Sequence, residues 1–108
     1  MNKRKEKDLL RMYLLEDSQE AFQQLIERYS LQIKRMINFR IEDPNEQREL
    51  FEDTVADIAE KLKISYEGKG SFATWLSKVV VNRINTYFRV RARAFFESGV
   101  NEFTESIE

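Results

Sequence analysis

Apolar residues recur along this chain at steps of three and four, in four runs separated by turn chemistry. Leu9, Leu10, Tyr13 and Leu14 give a narrow apolar side over about residues 5–15. Asp17 and Ser18 then close one helix and cap the next. Phe22, Leu25, Ile26, Tyr29, Ile33, Met36 and Ile37 predict a helix from Gln19 to about Ile41. The stretch EDPNE, Glu42 to Glu46, breaks and restarts the pattern, because Pro44 disfavours helix at Asp43 and suits an early helical position. Phe51, Val55, Ile58 and Leu62 mark a third helix, from about Asn45 to Leu62. A loop holding Gly68 and Gly70 leads through Ser71, a good N-cap, into the fourth helix, expected to fray beyond Arg93. No alternating β-branched run is bounded by turns, so the fold class is all-α, a compact bundle of about four helices. One helical domain over residues 1–95 and a disordered acidic tail over 96–108 complete the division.

The polar positions of the fourth helix carry as much information as the apolar ones. At 100° per residue, Trp75, Val79, Phe72, Leu76, Val80 and Ile84 share one arc, and Phe72 and Trp75 read as core. Lys78, Asn82, Asn85 and Arg89 fall opposite, at steps of four, three and four. Val81 interrupts that polar side. On the third helix the same test gathers Glu49, Glu52, Asp53, Asp57 and Glu60 on one side. Their mutual repulsion costs a few tenths of a kcal/mol for each i,i+4 pair. A solvated face, a docking surface steered by charge and a carboxylate metal site all remain open for it.

Charge distribution sharpens this picture. Residues 42–60 carry eight carboxylates against the single cation of Arg48. From Gly68 to Phe96 the charges are Lys69, Lys78, Arg83, Arg89, Arg91 and Arg93, with no carboxylate. Glu97, Glu102, Glu105 and Glu108 then turn the chain acidic again. The net charge of −1 argues against a general nucleic-acid binder, whereas two surfaces of opposite sign suggest two partners. Among 108 residues there is no cysteine and no histidine, which removes the usual thiolate and imidazole ligands and bases. No nucleophile–base pair, phosphate loop or metal motif is visible, so neither enzyme activity nor a cofactor is expected. The lack of an apolar run of ~20 residues and of a signal-like N-terminus points to a cytoplasmic protein with no membrane partner.

A family resemblance rests on these residues. LFEDTVADIAEKL (Leu50 to Leu62), followed by GKGSFATWLSKVVVNRINTYFRVRAR, resembles region 2 of bacterial sigma-70-type RNA polymerase sigma factors, in particular the small extracytoplasmic-function class. The string Gly68, Ser71, Phe72, Trp75, Leu76, Lys78, Asn82, Tyr87, Arg89 is its most specific part, and DSQEAFQQLIERYSLQIKRMI resembles the family's opening helix. The likeness spans about Leu9 to Arg93. It implies a transcription-initiation role with core RNA polymerase and promoter DNA as partners. Glu49, Glu52, Asp53 and Asp57 would dock on the β′ clamp helices. Residues 65–71 would hold a flipped base of the −10 element, read as single-stranded non-template DNA. Lys78, Asn82, Asn85 and Arg89 would contact the strand.

On that reading Gly68 and Gly70 permit close backbone approach, beside Lys69 and Ser71. Tyr66 either stacks on a base, worth about 1–3 kcal/mol, or packs under the loop. Arg89, Arg91 and Arg93 either hold phosphates, each adding roughly 0.7 to the salt slope, or only complement the helix C-terminus. Family members often have Asp and Gln where this chain has Glu49 and Glu52, and Asp where it has Thr86. The residues beyond Arg93 do not resemble the start of region 4, the −35 reader. A sigma module working with a separate region-4 subunit, a sigma-like regulator, and a helical module that binds protein without reading DNA are therefore all retained, with an anti-sigma factor as a further conceivable partner.

Overall fold

A computed structural model describes residues 4–107, with side chains through Glu97. Four helices follow in order: α1 (Glu6–Glu16), α2 (Gln19–Arg40), α3 (Pro44–Ser65) and α4 (Phe72–Ile107). The described residues hold no strand. The expected disordered tail falls largely on side chains outside the described residues.

Each connection is built by the residues that the pattern singles out. Asp17 adopts the left-handed conformation (φ 54°), which short polar side chains tolerate, and the Ser18 N–H donates back to the Met12 carbonyl at 3.1 Å. The Ser18 hydroxyl then accepts from the Ala21 N–H at 3.1 Å, capping α2. At the next corner the Asp43 carboxylate accepts from the Asn45 N–H at 3.0 Å, with Pro44 opening α3. Ser71 caps α4 in the same manner, accepting from the Thr74 N–H at 3.4 Å.

Cross-helix contacts give the helix directions. Tyr13 meets Phe22 and Tyr29 meets Glu6, so α1 and α2 are antiparallel. Lys34 lies over Phe51 and Gln47 donates to the Ile41 carbonyl, which reverses α3 against α2. Asp53 pairs with Arg83 and Glu46 with Arg91, which reverses α4 against α3. The result is an up-down-up-down bundle in which α2 packs on α1, α3 and α4. Leu9, Leu25, Ile33, Ile37, Ile58, Leu62, Leu76 and Val80 form its fully buried centre.

Two expectations need correction. The buried line of α3 is Leu50, Thr54, Ile58 and Leu62, while Phe51 and Val55 are half-buried at its margin. Threonine is accommodated because its hydroxyl donates to the Leu50 carbonyl at 2.6 Å, so the buried polar group is satisfied within its own helix. Helix α4 also continues past Arg93, to Ile107. It leaves the bundle there, since every side chain from Arg89 to Glu97 is exposed.

Candidate functional site

The exposed stripe of α4 is the first candidate. Lys78, Asn82, Asn85 and Arg89 are all exposed, on the side opposite the buried Leu76, Val79, Val80 and Ile84. Thr74, Ser77, Lys78, Val81 and Asn82 line a shallow depression of about 340 Å³ along this side. Val81, the apolar residue that interrupts the polar row, is among these lining side chains and is exposed. Gln32 donates to the Ser77 hydroxyl at 3.1 Å and fixes this edge of α4 to α2. Arg93 is exposed further along the helix.

Arg91 behaves differently from Arg89. It lies about 160° around the helix from Arg89, and its guanidinium is bound to Glu46 and donates to the Tyr87 hydroxyl at 2.5 Å. These partners, more than solvent, raise its affinity for its proton. The structure therefore groups Arg91 with the α3–α4 packing rather than with the stripe.

The loop before α4 is stiffened by aromatic packing. Gly68 and Gly70 both have positive φ, 74° and 72°. A Cβ at either would meet nothing within 4 Å, so their requirement is conformational and not one of space. Tyr66 is half-buried and lies edge-on to Trp75 at 5.2 Å and to Phe72 at 5.9 Å. Tyr29 closes the same cluster against Phe72 at 5.4 Å. Tyr66 thus packs beneath the loop, the second of its two alternatives. Lys69 is exposed and pairs with Glu67 at 3.2 Å, while the Ser71 hydroxyl is occupied in capping.

The acidic side of α3 is the second candidate. Glu49, Glu52 and Asp53 are exposed and Asp57 is half-buried. Asp57 pairs with Lys61 on its own helix at 3.2 Å, and Asp53 with Arg83 of α4 at 3.6 Å. Glu49 and Glu52 have no ion-pair partner among the described residues. Beside Glu52, a groove of about 400 Å³ between α2 and α3 is lined by Lys34, Asn38, Pro44, Gln47, Arg48 and Phe51. The acidic group is therefore open at Glu49 and Glu52 and partly neutralised towards α4.

Scanned against protein-family models, curated proteins and solved structures, the chain matches none of them. Its reading rests on its own geometry.

The α3–α4 seam is the feature that sequence reasoning missed. Asp53–Arg83 and Glu46–Arg91 stitch the two helices along their packed edge. Arg40 over Phe88 at 5.0 Å adds α2 to the same end. The angular test that separates Arg91 from Arg89 could have found half of this. The pairing of α3 with α4 has no local signal. Among the described residues no cluster of metal-ligating side chains occurs, and no helix is long and apolar enough to cross a membrane.

Proposed function

We propose that this bundle is a binding module that engages a cationic helical protein surface through the acidic side of α3. The observation that carries this reading is the exposure of Glu49 and Glu52 without cationic partners among the described residues, in a stretch, residues 42–60, that carries eight carboxylates. Leaving these charges unpaired costs stability and gives complementarity to a basic surface, which fixes register and speeds encounter. The resemblance to sigma region 2 supplies the partner to test: the clamp helices of the β′ subunit in core RNA polymerase, in the cytoplasm. Reversing charge with Glu49→Lys and Glu52→Lys should abolish capture of a clamp-helix fragment while leaving helicity unchanged. Unchanged capture would remove the polymerase from the account.

A second reading is favoured by a separate observation, the exposed row Lys78, Asn82, Asn85 and Arg89 on the helix that follows a loop turning through two glycines of positive φ. Such a row can follow a single-stranded backbone, with Asn side chains offering both donors and acceptors to base edges. On this reading the docked module also takes the non-template strand of the −10 element, and a flipped base enters beside residues 65–71. Binding of a labelled −10-like strand in the presence of core polymerase should fall with Asn82→Ala and Arg89→Ala. Equal binding by the variants would leave protein docking alone.

A further inference from the structure

We propose that the partner helix lies along the groove between α2 and α3 and carries both signs of charge, a carboxylate for Lys34 and Arg48 and a cation for Glu49 and Glu52. This rests on the docking reading above and deepens it, from a cationic surface to an amphipathic helix with a defined order of charges.

The walls of the groove are held in place by contacts within the chain. Gln47 donates to the Ile41 carbonyl at 2.6 Å and fixes the start of α3 against the end of α2. Lys34 lies over the half-buried Phe51 ring, 5.1 Å from its centroid, which keeps its ammonium at the groove. Leu31, three residues before Lys34, and Val55, four residues after Phe51, continue the same sides of their helices. Because α2 and α3 run antiparallel, both extend the groove in one direction. Leu31 is 59% exposed and Val55 half-buried, so the extension is an apolar strip of the kind that receives the apolar face of a helix.

Charge decides which helix fits. Lys34 and Arg48 are exposed on this one groove, and neither has a carboxylate partner among the described residues. Arg48 stays unpaired although residues 42–60 carry eight carboxylates around it. Two free cations at one cleft favour an anion there. A wholly cationic partner would meet them with like charge and lose part of what it gains at Glu49 and Glu52. Along α3 the sign changes within one turn, from Arg48 to Glu52, roughly 6 Å further on. A partner helix with a carboxylate and a basic residue three or four positions apart matches both, and its apolar residues then fall on Phe51 and Leu31.

The test is fluorescence anisotropy of the labelled β′ clamp-helix fragment with the full chain and its variants. Glu49→Lys/Glu52→Lys and Lys34→Glu/Arg48→Glu should each weaken binding at least about tenfold with helicity unchanged. Leu31→Ser, at an exposed site, should weaken it several-fold. A wholly cationic docking surface predicts the reverse for Lys34→Glu/Arg48→Glu, since the added carboxylates would tighten binding. Equal or tighter binding by that variant, with binding lost in Glu49→Lys/Glu52→Lys, would overturn the mixed-charge helix and leave the docking reading standing. Wild-type affinity in Leu31→Ser would take the helix off the groove. No binding by the wild-type chain would remove both readings together.

Discussion

Thr54 shows how little a polar residue disturbs this core. It is fully buried, yet its hydroxyl has a partner one turn back in the Leu50 carbonyl. That carbonyl also belongs to the ordinary helical ladder, so removing the hydroxyl leaves nothing stranded. Thr54→Val should therefore shift stability by less than about 1 kcal/mol, whereas Ile58→Ala, one turn later in the same buried line, should cost about 2–5 kcal/mol. Urea denaturation of the two variants compares them directly. Tyr29 supplies a pH signature. Burial first, and then its hydrogen bond to Glu6, push its hydroxyl up to about 12 from 10.0. The folded state thus favours the neutral phenol, and this contribution is intact below pH 10 and lost as pH rises through about 12. Tyrosinate absorbance should show Tyr29 ionising above the ordinary tyrosine range. Ionisation at about pH 10 would contradict the Glu6 contact. Asp17 acts at the opposite end of the scale. Its hydrogen bond from Lys63 holds its carboxyl below the usual range, so its contribution is present at neutral pH and fades as pH falls through that lowered value.

At the scale of elements, the sequence was most legible where local chemistry decides. Asp17-Ser18, Asp43-Pro44 and Ser71 set three boundaries because capping and proline geometry need only neighbouring residues. The buried line of α3 was less legible, because Thr54 reads as polar until its bond within the helix is known. The full reach of α4 was not legible: residues 94–107 include Gly99 and several β-branched residues, which local propensity does not favour in a helix. In the candidate site the stripe from Lys78 to Arg89 was readable from periodicity alone. The role of Tyr66 was not, since its ring packs on Trp75 and Phe72, which the loop returns to it. The loop offers its own test. Gly68→Ala and Gly70→Ala should each cost about 1–2 kcal/mol through positive φ alone, because no atom crowds either position. A much larger loss, measured by thermal unfolding, would mean that these positions are packed.

Across the whole molecule, two ion pairs join α3 to α4 along one seam, well away from the stripe of Lys78, Asn82, Asn85 and Arg89. Asp53–Arg83 and Glu46–Arg91 lie on it, partly exposed to solvent. Exposed pairs of this kind contribute only about 0–1 kcal/mol each, so a double-mutant cycle of Asp53→Ala with Arg83→Ala should give a coupling within that range. The seam uses Asp53 and Glu46 of α3, while Glu49 and Glu52 stay exposed on α3 and Lys78 and Arg89 on α4. The most direct measurement of the docking claim is fluorescence anisotropy of a labelled β′ clamp-helix fragment titrated with the chain and with its Glu49→Lys/Glu52→Lys variant. The account predicts saturable binding that weakens with salt and drops at least about tenfold in the variant. Binding that is absent in the wild-type chain, or equal in both, would contradict it.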